Sequence, residues 1–227
     1  MKNIKYIMYL FLGIFLIGLL GGTAHAIEEK FLEAKFIGNE AFLITDGDFT
    51  LLTDFPYQSG AYGYMEYEVD FPAITGNVLS LITHRHLDHF DPLLFSVQSW
   101  EIIGPREVTV PLAQNKVIKL ENTMLVGPLD ITLRKTSHAN VDHLSYLVTW
   151  AGRKMLFVGD TEDLGVLKDL PDLNALFITP WLHRKAMMNK ALPKTKKIII
   201  YHHKAKDIIP DCSGCIIPTQ NQIIDIN

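Results

Sequence analysis

Asn77-Val78-Leu79-Ser80-Leu81-Ile82-Thr83-His84-Arg85-His86-Leu87-Asp88-His89 joins two kinds of sequence with no linker between them. Residues 77–83 are apolar and short enough to read as a buried strand. His84, His86, Asp88 and His89 then fall within six residues. A neutral imidazole is a good donor to a divalent ion, and a carboxylate compensates the ion's charge. Side chains of an extended segment alternate with period two, so His84 and His86 face the same way and can share one ion. Asp88 and His89 fall where the chain turns and can face a second. A chance cluster of surface histidines is the competing explanation. Of the eight histidines after residue 26, three lie in this window beside an aspartate, which argues against chance.

The same arrangement, a buried strand ending at once in His or Asp, recurs further along. The strand expected at 131–135 leads into Thr136-Ser137-His138, that at 154–158 into Gly159-Asp160-Thr161, and that at 197–201 into His202-His203. Buried strands seldom end in bare ionisable groups unless these are paired or bind metal. Other expected strands are 31–37, 41–45 and 49–53, with turns at Gly38-Asn39 and Asp46-Gly47-Asp48, then 107–110, 116–120, 144–150, 175–179 and 223–226. Helices are expected from Asp91-Pro92 to about residue 97, over 162–170 and over 184–191. The stretch 56–67 is rich in Tyr and Gly and has no clear period. Strands and helices alternate in two halves, each strand-first. Polar chemistry at strand ends is the habit of layered α/β folds, where loops converge on one edge of a rigid sheet.

Residues 1–26 stand apart. Lys2 and Lys5 precede an apolar run over 6–20, and Ala24-His25-Ala26 then has the small-x-small form cut by signal peptidase. The run falls short of the roughly 20 residues that span a bilayer. The expectation is a signal peptide at 1–26 and a single mature domain at 27–227, periplasmic or secreted, with no membrane contact after cleavage. Loss of Lys2 and Lys5 takes the net charge from −4 to −6, and such a surface offers no basic stripe for nucleic acid. The two cysteines, in Cys212-Ser213-Gly214-Cys215, read as a local disulfide closing a loop.

Taken with the other strand ends, His84-x-His86-x-Asp88-His89 resembles the motif of the metallo-β-lactamase superfamily. The resemblance covers almost the whole chain after residue 26, because accessory motifs follow in the family's order. Asp54 resembles the first-motif Asp, which orders the site rather than binding metal. His138 resembles the third-motif His, with His143 a competitor that otherwise supports the site or touches substrate. Asp160 resembles the bridging carboxylate, and His202 or His203 the last His. The resemblance implies an α/β fold, an αββα sandwich with the site at one edge between the sheets. It also implies two divalent ions, zinc first, with manganese or iron as alternatives. His84, His86 and His138 would hold one ion, Asp88, His89 and His202 or His203 the other, and Asp160 would bridge.

Two ions sharing a water lower its pKa from about 15.7 towards roughly 7. The resulting hydroxide, oriented by Asp88, would attack a carbonyl carbon or a phosphorus of a small-molecule ester, lactone or phosphoester. A β-lactam substrate ranks lower, because β-lactamases of this family usually lack the bridging Asp. A non-catalytic periplasmic metal-binding protein ranks lower too, because both ligand sets are complete and no flexible His-rich tract is present. Expected substrate contacts are Tyr62, with Tyr64 beside it, then Trp181, His183 and Arg184 after the strand 175–179, and His143. Arg184 could hold an anion through its fork of donors. Arg85 alternates with the ligands, so it faces away or supports a neighbouring carboxylate.

Overall fold

The computed structural model describes residues 31–204, 209 and 214–227. The expected signal peptide and Cys212 lie outside these residues; Cys215 is disulfide-bonded.

Strand β4, Asn77–Leu81, shows how the layers arise. Its odd residues, Leu79 and Leu81, enter the main core, while Val78 and the following Ile82 enter a second, smaller core on the opposite face. A strand apolar on both faces must be covered on both, which requires at least three layers. Its sheet also contains β1 (Glu33–Gly38), β2 (Ala41–Thr45), β3 (Phe49–Thr53), β5 (Glu101–Ile103) and β13 (Ile223–Asp225), in the order β13-β1-β2-β3-β4-β5. The second sheet runs β12-β11-β10-β9-β8-β7-β6, from β6 (Thr123–Val126), β7 (Leu129–His138), β8 (Val141–Trp150), β9 (Arg153–Phe157), β10 (Leu173–Ile178), β11 (Thr195–Ile200) and β12 (Cys215–Ile216). Helices α1 (Pro92–Ser96) and α2 (Arg106–Thr109) bring Phe95 and Val108 to the smaller core, and α3 (Pro180–Met188) brings Leu182 and Ala186 to the main one. This is the expected α/β sandwich, with two mixed sheets and few helices. No helix among the described residues is long and apolar enough to cross a membrane.

Three local expectations are corrected. Residues 107–109 belong to α2 and Val110 is its C-cap, so no strand forms there; Pro105 at the N-cap, with φ −61°, starts the helical turn. Residues 116–120 make a single bridge, Ile102 with Val117, after a 3₁₀ turn at Gln114–Lys116. Residues 162–170 contain only the 3₁₀ turn Leu164–Leu167, where Asp163 caps the N–H of Gly165. The short strands β5, β6 and β12 carry too few residues for a period to register.

Strand direction collects the polar residues at one edge. β3 and β4 run parallel, as do β9, β10 and β11, so the C-terminal ends within each group point the same way. β2 is antiparallel to β3 and starts beside its end, with Phe42 opposite Thr53. The tip of the β7–β8 hairpin, with His138 opposite Val141, lies at the end where β9 finishes, because β8 runs antiparallel to β9. The Tyr146 hydroxyl on β8 donates to the Ile82 carbonyl at 2.6 Å. That bond ties the second sheet to the first one residue before Thr83-His84 and is worth about 1 kcal/mol.

Candidate metal centre

Seven of the expected donors meet at this edge. Ligand atoms of His84, His86, His138 and Asp160 lie within 4.8 Å of one another, and so do those of Asp88, His89 and His202. Asp160 stands between the two sets. Its Oδ2 is 3.5 Å from His138 Nε2, 3.9 Å from His84 Nε2 and 3.4 Å from His89 Nε2, while Oδ1 is 2.9 Å from His202 Nε2.

Backbone geometry supplies the aim. Gly159 has φ +67°, and a Cβ there would meet His143 Nε2 at 2.4 Å, so only glycine lets the chain swing Asp160 inward. The Asp160 N–H donates to that same His143 Nε2 at 3.1 Å, and His143 Nδ1 pairs with the Thr136 hydroxyl at 2.7 Å. His143 therefore holds the Asp160 loop, while it is His138 whose ring lies with His84, His86 and Asp160. His202 is left-handed, with φ 54°, a conformation non-glycine residues adopt rarely. It sends the ring to the centre, 3.3 Å from His89 Nε2. His203 is corrected: its ring stacks on Phe36 at 6.1 Å, and it joins neither donor set. Adjacent residues across such a kink point in different directions.

Asp54, also left-handed at φ 41°, lies beneath the site. Its Oδ1 accepts from the Thr83 N–H at 2.7 Å, and its Oδ2 lies 3.2 Å from His89 Nδ1. It thus braces the Thr83 backbone and the His89 ring. Arg85 points out to Glu107, Nε to Oε2 at 2.6 Å.

Two residues of the site escaped the sequence reading. Asn39, at the β1–β2 turn, donates from Nδ2 to the Asp88 carbonyl at 2.7 Å and accepts from the His202 N–H at 2.8 Å. Glu40, next to it, is fully buried, with Oε2 3.5 Å from His89 Nδ1. A lone acid between two apolar strands was the available signal.

Of the expected substrate contacts, Trp181 and His143 are at the centre, with the Trp181 ring 5.1 Å from that of His202. Tyr62 is 63% exposed, and Tyr64 sets its ring against His202 at 4.3 Å. The 3₁₀ turn at Ala61–Gly63 reverses the chain between the two tyrosines. Arg184 is exposed on α3, whose buried side carries Leu182, His183 and Ala186. His183 faces Cys215, Nε2 to Sγ at 3.8 Å.

Charges at the centre are strongly coupled. Burial, then His89, holds His84 far below the usual imidazole range. Burial also lowers His86, and it brings His143 down to about 4. For His89 burial acts downward, but Asp160 and Asp54 outweigh it and raise the ring well above its usual range. Burial pushes Asp160 upward, and His202 with His89 overcome that to hold the carboxyl well below its usual range.

The donor chemistry fits metal. His84 Nε2 faces His86 Nδ1 at 2.9 Å, and His89 Nε2 faces His202 Nε2 at 3.3 Å. Asp160 Oδ1 is buried against His202 Nε2 at 2.9 Å. Imidazole lone pairs and carboxylates that converge in this way are satisfied by cations placed between them.

No protein-family model and no curated protein matches the chain. Solved structures do. Igni18, a metallo hydrolase from the archaeon Ignicoccus hospitalis, is 13% identical over 86% of this chain and 98% of its own, with a TM-score of 0.64. The metallo-β-lactamase fold protein YhfI from Bacillus subtilis is 15% identical over 86% and 99%, with a TM-score of 0.58. A diphosphatase from the PhnP family is 10% identical over 85% and 97%, with a TM-score of 0.59.

Proposed function

We propose that this chain, which has the metallo-β-lactamase fold, is an exported metal-dependent hydrolase that cleaves an ester, lactone or phosphoester bond of a small molecule. The observation that carries the reading is the position of Asp160 between the two sets, with His84 and His138 of one and His89 of the other beside Oδ2, and His202 beside Oδ1. A carboxylate so placed serves two ions rather than one. His84, His86 and His138 would hold the first ion, Asp88, His89 and His202 the second. Bound there, the ions would supply Lewis acidity and a water that ionises near neutral pH.

The protein's own groups do the rest. Asp54 fixes the His89 ring through Nδ1, and the His143 acceptor fixes the Asp160 backbone. Asp88, 3.6 Å from His202 and from His89, is a carboxylate able to orient a nucleophilic water. Tyr64 and Trp181 wall the second set and limit water beside it. Burial, with Asp160 and Asp88, pushes the Tyr64 phenol up to about 12, so it stays a hydrogen-bond donor at neutral pH.

A bridging carboxylate at Asp160 favours esters, lactones and phosphoesters over β-lactams. The diphosphatase with this fold gives the phosphoester arm a precedent in architecture. Imidazole-rich donors suit zinc, with iron or manganese next. Export rests on residues 1–26. The test is a panel of phosphodiester, lactone, carboxyl ester and cephalosporin substrates, run on protein loaded with each metal. Turnover in one of the first three classes, abolished by chelation and restored by metal, is expected. Turnover of the cephalosporin alone, or none of the four, would overturn the reading.

A further inference from the structure

Glu40 is unexplained by the centre as described. Its side chain is fully buried, packed against the Asp54 carboxyl and 3.5 Å from the His89 ring. A buried carboxylate in that state is costly, and such groups normally find a partner or a cation. Its position is nonetheless tightly specified. The Glu40 carbonyl accepts from the Thr53 hydroxyl at 3.0 Å, and the same hydroxyl accepts from the Phe42 N–H at 3.1 Å. Asn39, left-handed at φ 54°, is bonded to the loops that carry Asp88 and His202. The turn is thus fastened to two ligand loops with its acid held between them.

One use for that acid is to orient His89 from behind. Asp54 already does this: it lies 3.2 Å from His89 Nδ1 against 3.5 Å for Glu40, and one ring nitrogen carries one proton. A second use fits better. Ligand atoms of Glu40, Asp160 and His202 all lie within 4.8 Å of one another. Donors on opposite sides of one ion at about 2.1 Å are roughly 4.2 Å apart, so a small inward movement brings all three onto a common ion.

We propose that Glu40 is an additional ligand of the ion held by Asp88, His89 and His202, giving that position a donor set of three carboxylates and two imidazoles. This rests on the dinuclear reading above and goes beyond it. The first ion would see three imidazoles and a shared carboxylate, a set that suits tetrahedral zinc. The second would see five donors, three of them anionic oxygen carriers, a set that suits manganese or ferrous iron. The two positions would therefore differ in preferred metal.

The experiment measures metal content and affinity on chelated protein reloaded with zinc, manganese or ferrous iron alone, for the wild type and for Glu40→Gln. The wild type is expected to bind two ions. Glu40→Gln is expected to keep the first and to lose affinity for manganese at the second by about 100-fold or more, with a smaller loss for zinc. The melting temperature of metal-free Glu40→Gln should equal or exceed that of the wild type, because a buried acid among other carboxylates is replaced by a neutral amide of the same shape, and its gain on manganese loading should shrink. Glu40→Asp, which keeps the charge and shortens the arm, should lose the second manganese in the same way while still melting cooperatively. Wild type binding two ions, with Glu40→Gln matching it in stoichiometry and in manganese-to-zinc preference, would overturn the ligand assignment alone. Wild type binding fewer than two would overturn the dinuclear reading and the ligand with it.

Discussion

The two donor sets are built differently, although they share Asp160. The set of His84, His86 and His138 is rich in imidazole and partly open: His138 has 21% of its side chain exposed. The set of Asp88, His89 and His202 is fully buried, backed by Asp54 and Glu40, and walled by Tyr64 and Trp181. The open set is drawn from two stretches of chain, the exit of β4 and the tip of the β7–β8 hairpin in the other sheet. The buried set needs the β1–β2 turn, the ends of β3 and β4, and the end of β11 to come together. A site assembled from more distant pieces is better shielded from water, and its electrostatic interactions are correspondingly stronger. It also depends more on every piece being in place.

The largest expected effect comes from the residue common to both sets. Asp160→Ala removes an anionic donor from each side at once. Activity on the best substrate should fall by about 10³-fold or more, and metal content should drop below two ions, most at the buried set. The fold should persist, because the cores do not include this residue. Near-wild-type activity with two ions retained would show that the sets act independently.

Removing one ligand from each side probes the contrast directly. His138→Ala leaves a gap that solvent can enter, so a water can replace the lost donor, and the affinity of the first ion should fall by roughly 10–100-fold. His202→Ala empties a position with only 1% of its side chain exposed, and Tyr64 and Trp181 offer no replacement donor. That variant should lose the second ion outright in metal analysis. Equal losses in the two variants would mean that burial does not separate the sets.

A smaller effect is expected one step back from the ligands. His143→Phe deprives the Asp160 N–H of its acceptor and leaves the Thr136 hydroxyl with Ser145 alone, while a ring still fills the space against Gly159. Supporting residues of this kind typically change metal affinity by about 10–100-fold. Both ions should weaken together, because the loop carries the shared carboxylate. Weakening of the first ion alone would place His143 among its ligands.

The contrast also marks where the sequence was informative. The open set was legible because strand alternation and a six-residue window carry most of it. Asp160 was legible because it ends an apolar strand. The choice between His202 and His203 was not, since it turns on a single left-handed residue. Glu40 and Asn39 were hidden for another reason. Their neighbourhood is created by β2 pairing with β3 and β3 with β4, contacts with no local sequence pattern. Tyr64 was obscured by an aperiodic loop, whose 3₁₀ turn decides which tyrosine faces inward.

Arg85 gives the smallest effect and the sharpest local control. It lies between two ligands in sequence, and strand alternation alone says that it should point away from them. Its Nε is 2.6 Å from Glu107 Oε2, with side chains 54% and 34% exposed. An ion pair that exposed exchanges good hydration for a screened attraction, so it contributes at most a few tenths of a kcal/mol. Arg85→Ala should therefore shift the melting temperature by a degree or two at most, and less in high salt than in low. Metal content and turnover should stay at wild-type values, even though the residue is flanked on both sides by donors to the same ion. Loss of an ion in this variant would mean that the loop is held by its outward contacts rather than by Asp54 and Asn39 from within. Both sets take two donors from that same loop and would then weaken together.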